Sequence, residues 1–205
     1  MNQLDFVHRY VPPSNGSRRV LLLLHGTGGD ETDLLSLGRE LDPDAALLSP
    51  RGKVVENGAP RFFRRFAEGL FDEEDVVKRA NELGNFIIAA GQTYNFKIEQ
   101  LIAIGYSNGA NIAAAMLLLR PEVLRRALLF RAMVPLSSPP RNDLSGDSIL
   151  ISAGHDDPII PLENVRRLTT LLQEGGAKVQ LEIQQASHGL VPEDLMVAKL
   201  WLAPE

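Results

Sequence analysis

Short, continuous apolar runs recur along the chain at wide intervals. Each run consists mostly of branched or aliphatic residues and is bounded by Gly, Pro, Ser or charged residues. Runs of this kind are typical of strands that are buried on both faces of a parallel sheet. The runs lie at Val20–Leu24, Ala45–Leu48, Leu101–Ile104, Ala127–Phe130 and Ile149–Ile151.

Two further strands are predicted from weaker patterns. Val179, Leu181 and Ile183 alternate with polar residues, which predicts a strand with one solvated face at an edge of the sheet. A weak strand is predicted at Leu4–Val11, so the sheet is expected to have about seven strands.

Segments with helical periodicity separate these strands. Their apolar residues recur at steps of three and four, or their ends are marked by Gly-Gly or by a residue that precedes proline. The predicted helices cover Val76–Ala90, Ile112–Leu119 (ended by Arg120-Pro121), Leu162–Leu172 (ended by Gly175-Gly176) and Asp194–Leu202.

Strands that alternate with helices predict a single α/β domain over residues 1–205, with a mostly parallel sheet covered on both faces. The longest stretch without clear periodicity is Pro50–Asp72, which predicts a functional or disordered loop. Only a short Pro-rich stretch that begins at Pro135–Pro140 separates two late strands, so no inserted cap domain is expected.

Composition narrows the kind of site that the chain can carry. Of 205 residues, 44% are apolar and 23% charged, as in ordinary globular proteins. The absence of cysteine excludes disulfides, thiolate zinc sites, iron–sulfur clusters and a cysteine nucleophile. A net charge of −5 provides no overall basic field, so no nucleic-acid partner is expected; a local basic patch is the alternative that composition leaves open.

No targeting or membrane segment is predicted. The N-terminus has no basic start followed by an apolar stretch, and the longest apolar run, Ile112–Leu119, is far shorter than the roughly 20 residues of a spanning helix. A cytoplasmic location is therefore expected. The oligomeric state is left open, with a homodimer as one alternative.

The strongest chemical motif is Gly105-Tyr106-Ser107-Asn108-Gly109, which lies between a predicted strand and a predicted helix. A serine at such a turn has a strained backbone, and the turn raises its hydroxyl above the carboxyl edge of the sheet. Residues two positions away must be small, which Gly105 and Gly109 satisfy. The motif predicts that Ser107 is a nucleophile.

A nucleophilic serine needs a base, and the chain has four histidines. In this arrangement the expected chain order is nucleophile, acid and then histidine, which removes His8 and His25. His188 follows the predicted edge strand and precedes the last helix, so it is placed at the same sheet edge as Ser107. We predict that His188 is the base.

The acid is expected in the loop that follows the strand at Ile149–Ile151. Asp156 and Asp157 are both candidates, and Asp157 is held extended by Pro158. Together with His155 they could suggest a metal site, but adjacent side chains diverge and no second ligand cluster is apparent. No metal and no organic cofactor is therefore predicted.

A glycine-rich loop, His25-Gly26-Thr27-Gly28-Gly29-Asp30, follows the strand at Val20–Leu24. Its main-chain amides could face a developing negative charge, and the amide of Asn108 would be the second donor. Neither of the two common nucleotide-binding glycine patterns occurs in the chain, which disfavours the alternative of a phosphate cradle.

Together these motifs resemble the α/β-hydrolase fold, and more narrowly the phospholipase/carboxylesterase family. The match also includes Asp157-Pro158-Ile159-Ile160-Pro161 and His188-Gly189, and the glycine loop is most similar to the small bacterial carboxylesterase branch, which is related to the acyl-protein thioesterases. The resemblance implies a Ser107, Asp157 and His188 triad with the Thr27 and Asn108 amides as oxyanion hole. Asn108 stands where the thioesterases commonly have Gln.

The function expected is hydrolysis of small-molecule carboxylic esters with small or medium acyl groups, through an acyl-enzyme. The alternatives are a thioesterase or lysophospholipase with the same triad, and a non-catalytic binding module. The stretch 61–66 offers two interpretations: Phe packing beneath a loop with Arg solvated outside, or an apolar wall with Arg for an anionic substrate end. The second interpretation assigns Phe62, Phe63 and Arg64 to substrate binding.

Overall fold

The computed structural model describes residues 4–203, which fold around one seven-stranded sheet and two small hairpins. The sheet order is β1-β3-β2-β8-β9-β10-β11, and only β1 runs antiparallel to its neighbour. The strands are β1 (His8–Val11), β2 (Val20–Leu24), β3 (Ala46–Pro50), β4 (Val54–Glu56), β5 (Ala59–Arg61), β6 (Arg65–Ala67), β7 (Leu70–Phe71), β8 (Leu101–Tyr106), β9 (Arg126–Phe130), β10 (Ser148–Gly154) and β11 (Lys178–Gln184).

Five α-helices within residues 4–203 cover the sheet. They are α1 (Leu35–Leu41), α2 (Glu73–Tyr94), α3 (Asn108–Leu119), α4 (Leu162–Glu174) and α5 (Pro192–Leu202). The mostly parallel sheet of seven strands is confirmed, and β11 lies at its edge as the alternating pattern predicted. No helix or strand lies between β9 and β10, where the sequence predicted that no cap domain is inserted.

Alternation along the buried strands divides the core into two clusters. In β2, Leu22 and Leu24 belong to the cluster that packs against α2, α3 and α4. Leu21 and Leu23 belong to the other cluster, which packs against α1 and α5. Because both faces are covered, β2 is buried along its full length and reads as a continuous apolar run.

The stretch 50–72 is ordered and contains the two hairpins, β4–β5 and β6–β7. Asn57 and Gly58 form the first turn, with φ values of 51° and 82°. A turn with positive φ at both central residues matches the twist of paired strands and favours Asn-Gly. This dipeptide is a hairpin signal in the sequence, whereas strands of two or three residues are too short to show a period.

One further prediction differs from the structure, and one helix was not predicted. The strand predicted at Leu4–Val11 begins only at His8, and helix α1 was not predicted because seven residues span just two turns. No helix within residues 4–203 is long and apolar enough to cross a membrane.

Candidate active site

Ser107 lies at the sharp turn between β8 and α3, at the carboxyl edge of the sheet. Its backbone has φ 52° and ψ −115°, a conformation that side-chain-bearing residues rarely adopt. The turn is fixed to the sheet by the Ser107 amide, which donates to the Phe130 carbonyl at 2.9 Å. Helix α3 begins at the next residue, so the positive end of its dipole lies beside the Ser107 hydroxyl.

The glycines on either side of Ser107 are required by close backbone contacts. A Cβ at Gly105 would lie 2.6 Å from the Ala110 Cα, and a Cβ at Gly109 would overlap the Leu24 carbonyl oxygen. Gly105 therefore makes room within the turn itself. Gly109 instead allows α3 to approach the end of β2, a reason that the motif alone does not show.

His188 lies between Ser107 and Asp157. Its Nε2 is 3.0 Å from Ser107 Oγ, and its Nδ1 is 2.8 Å from Asp157 Oδ2. Asp157 is almost fully buried, and its other carboxylate oxygen accepts the amides of Ile159 at 2.8 Å and Ile160 at 3.2 Å. A carboxylate held in this way fixes the orientation of the imidazole and stabilises its protonated form.

The neighbouring candidates for acid and ligand lie away from this constellation. Asp156 is exposed and pairs with the equally exposed His155, at 2.7 Å between Asp156 Oδ1 and His155 Nδ1. The structure therefore brings Asp157, and not Asp156, to His188. Among residues 4–203, no group of three or more His, Cys, Asp or Glu side chains is arranged to hold a metal ion.

The ring of His25, the first residue of the glycine-rich loop, stabilises this loop by two hydrogen bonds. Its Nε2 accepts the Gly52 amide at 3.0 Å, which leaves the proton on Nδ1, where it is donated to the Gly26 carbonyl at 2.7 Å. Burial lowers the pKa of His25 below its ordinary value of 6.5, so the ring stays neutral. Thr27 follows Gly26 in this loop and is exposed. Within residues 4–203, neither the Thr27 amide nor the Asn108 amide donates to an acceptor.

A cavity of about 260 Å³ opens at Ser107. Thr27, Asn108 and His188 line it, so the structure brings the predicted triad and both predicted amide donors to one place. Apolar side chains provide part of the wall; they are Phe71, Met133, Ile159 and Ile160.

Phe62, Phe63 and Arg64, which the second interpretation of the stretch 61–66 assigned to substrate binding, do not line this cavity. Both phenylalanines are buried; Phe62 packs on the His25 ring at 4.7 Å between ring centroids, and Phe63 packs on Phe71 at 5.0 Å. Arg64 points outward and pairs with Asp72 at 2.7 Å. The neighbouring arginines, Arg61 and Arg65, line the cavity instead, since the chain direction reverses through the two hairpins.

Comparison with known proteins gives this geometry a family context. A family model described as Phospholipase/Carboxylesterase matches residues 8–204. The chain belongs to the phospholipase/carboxylesterase family. It is 46% identical over 193 residues to MhqD of Bacillus subtilis (strain 168), a match that covers 94% of this chain and 96% of the relative.

Two solved carboxylesterase structures are similar to this member of the phospholipase/carboxylesterase family along almost the whole chain. The carboxylesterase of Bacillus cereus has a TM-score of 0.93 and 44% identity, covering 96% of this chain and 93% of that chain. The carboxylesterase of Mesorhizobium loti has a TM-score of 0.92 and 33% identity, with coverage of 96% and 94%. The predicted family, the α/β-hydrolase fold and the assignment as a carboxylesterase-type serine hydrolase are confirmed.

One residue of this phospholipase/carboxylesterase-family site was missed by sequence reasoning. The fully buried Arg131 donates to the carbonyls of Ser187 and Gly189, the two neighbours of His188, at 3.2 and 2.7 Å. Its guanidinium also forms a two-point pair with fully buried Asp194, at 3.0 and 2.7 Å. The only sequence signal is a lone arginine at the end of the apolar run 127–130.

Proposed function

We propose that the chain hydrolyses carboxylic esters of small or medium acyl groups through an acyl-enzyme on Ser107, acting as a single domain. The observation that carries this proposal is the position of the His188 ring, which lies within hydrogen-bond distance of both the Ser107 hydroxyl and the Asp157 carboxylate. Membership of a carboxylesterase family supports the same reaction class.

In the first step, His188 Nε2 accepts the Ser107 proton as Oγ attacks the ester carbonyl carbon. The carbonyl oxygen becomes an oxyanion, which the Thr27 and Asn108 amides stabilise by hydrogen bonds. The intermediate then collapses: the bond to the alcohol oxygen breaks, and His188 gives its proton to the leaving alcohol.

In the second step, a water molecule takes the place of the alcohol. His188 removes a proton from this water as it attacks the acyl carbon. The bond between the acyl carbon and Ser107 Oγ then breaks, and His188 returns the proton to Oγ. Asp157 accepts the hydrogen bond from His188 Nδ1 and stabilises the imidazolium that forms in each step. One ester and one water are consumed, and one carboxylic acid and one alcohol are released.

The size of the cavity favours small or medium acyl groups over the long chains of a lysophospholipase substrate. Its volume of about 260 Å³ is slightly smaller than the range for small-molecule pockets, roughly 300–1,000 Å³. We expect kcat/KM to fall as a straight acyl chain is lengthened beyond the cavity, measured on a series of 4-nitrophenyl esters. A steady rise to long chains would favour the lysophospholipase or thioesterase alternative.

The Ser107→Ala variant tests the proposal. It removes one oxygen atom at the turn, so the fold is expected to remain while turnover of 4-nitrophenyl butyrate is lost. Circular dichroism and thermal unfolding of the variant provide the control for folding. Wild-type turnover in a folded Ser107→Ala protein would contradict the assignment of the nucleophile, and with it the acyl-enzyme mechanism.

A further inference from the structure

Two guanidinium groups lie on the wall of the cavity that contains Ser107, although the proposed reaction uses neither of them. Arg61 is only 2% exposed, and its Nε donates to the Phe63 carbonyl at 3.2 Å. Arg65 lies on the neighbouring hairpin and is more accessible. Both line the cavity.

The two cations share one carboxylate. Arg61 Nη1 lies 3.0 Å from Glu56 Oε2, and Arg65 Nε lies 3.1 Å from the same oxygen. Burial, and secondarily the charge of Arg65, lowers the pKa of Arg61, because both disfavour a positive charge on its guanidinium. A buried charge is costly unless it is paired, so a second anion at this place would be stabilised.

Donors for such an anion remain available. A guanidinium carries five N–H donors, and contacts within residues 4–203 occupy only the Nε and Nη1 nitrogens of Arg61 and Arg65. None of these contacts uses an Nη2 nitrogen. A planar carboxylate matches the geometry of guanidinium donors and can accept two hydrogen bonds from them.

Glu68 already places a carboxylate at this position. It lines the cavity, and its Oε1 lies 3.3 Å from Arg65 Nη1. At 63% exposure its side chain is mostly in water, so the contact is weak and can be displaced. Glu68 therefore marks where an external carboxylate would bind.

We propose that Arg61 and Arg65 form a subsite for an anionic group of the substrate, so that the preferred esters carry a carboxylate on a short chain. This inference rests on the proposed ester hydrolysis at Ser107 and specifies its substrate class. The apolar residues Met133, Ile159 and Ile160 line another part of the cavity, where an uncharged part of the ester would pack.

The test compares matched esters that differ only in charge. Monomethyl glutarate carries a carboxylate on the acyl side, and methyl glutaramate is its neutral amide counterpart. O-Acetylglycolate and acetoxyacetamide form the same pair with the carboxylate on the alcohol side, so the two arms show which end of the ester the arginines bind. Release of methanol or acetate gives kcat/KM, and the ratio of anionic to neutral ester within each pair is the readout.

Three variants are compared with the wild-type enzyme. Arg65→Gln is used because Arg61 is buried and its replacement could prevent folding. In at least one pair we expect the wild-type enzyme to prefer the anionic ester, and Arg65→Gln to lower the ratio roughly 10-fold to 100-fold, the range for one charge-assisted hydrogen bond. Glu68→Gln should raise the ratio, because it removes the competing carboxylate. Arg64→Gln removes a guanidinium from the same segment outside the cavity and should keep the wild-type ratio.

Equal use of the anionic and neutral esters by the wild-type enzyme in both pairs would overturn the subsite. So would an Arg65→Gln variant that loses activity on both members of each pair to the same extent. In either case, the proposed function would still hold if the wild-type enzyme hydrolyses the neutral esters and Ser107→Ala does not. A wild-type enzyme that hydrolyses no ester at all would contradict the proposed function and the subsite together.

Discussion

Replacement of Asp194 tests how the loop that carries His188 is held. Asp194 forms the buried two-point pair with Arg131, and it also accepts the Ser152 hydroxyl at 2.5 Å and the Val191 amide at 2.8 Å. Asp194→Asn keeps the size of the side chain but removes its charge. Arg131 is then left as a buried cation without a counter-charge.

The expected cost follows from the burial of both groups, whose side chains are 0% exposed. Removal of one partner of a buried ion pair costs about 3–5 kcal/mol. For a domain of about 200 residues, each kcal/mol lowers the melting temperature by roughly 2–4 °C. We therefore expect Asp194→Asn to melt roughly 6–20 °C below the wild-type protein by differential scanning calorimetry.

A double variant separates stability from the positioning of His188. Arg131→Met with Asp194→Leu removes both charges, and apolar replacement of a buried pair is often neutral or stabilising. Much of the stability should therefore return. The carbonyls of Ser187 and Gly189 still lack their donor, so kcat for 4-nitrophenyl butyrate should stay below the wild-type value at temperatures where the double variant is fully folded.

Two results would refute this reasoning. An unchanged melting temperature in Asp194→Asn would show that the buried pair contributes little. A double variant that regains both stability and wild-type kcat would show that Arg131 has no role in positioning His188. Arg131→Lys is the matched control, because it keeps the charge but cannot reach both carbonyls and Asp194 with one planar group.

Three further outcomes follow from the site. Asp157→Asn should lower kcat roughly 10⁴-fold while the fold remains, because the amide favours the wrong imidazole tautomer; a small change in single-turnover kinetics would contradict this role. Gly109→Ala should reduce folded yield and melting temperature far more than the control Gly189→Ala, since a Cβ at position 109 overlaps the Leu24 carbonyl and one at position 189 meets no atom within 4 Å. The lowered pKa of His25 means that the unfolded chain binds a proton there first. The free energy of unfolding should therefore fall as pH decreases below about 6.5. In His25→Asn, the contribution of this histidine to the fall should be absent when melting temperatures are compared by calorimetry between pH 5 and 8.

The buried strands were predictable because the parallel sheet excludes water from both faces. Leu21–Leu24 can alternate between two core clusters only if every position is apolar, and the sequence shows this as an unbroken run. The strand-to-helix turn at Ser107 was predictable for a related reason. Its backbone requires glycine at fixed positions, so a local motif records a three-dimensional constraint.

The cavity wall was not predictable in the same way. The strands of these hairpins have only two or three residues, which is too short for a periodic pattern of apolar residues. Whether Arg61 or Arg64 lines the cavity therefore depends on tertiary packing. Arg131 shows the same limit, since its partners Ser187, Gly189 and Asp194 are more than 50 positions away and meet it only in the folded chain. Local sequence patterns reflect the conformation that the backbone must adopt. The contacts of these side chains depend instead on how elements that are distant in sequence pack together.

The most direct test of the central claim is covalent labelling with a 4-nitrophenyl alkylphosphonate, followed by peptide mass spectrometry. We expect one adduct per chain, located on Ser107, formed with release of one 4-nitrophenolate. We also expect that labelling slows by orders of magnitude in folded His188→Ala, because the hydroxyl then has no base. An adduct on any other residue, or an unchanged labelling rate without His188, would contradict the claim that these two side chains act together.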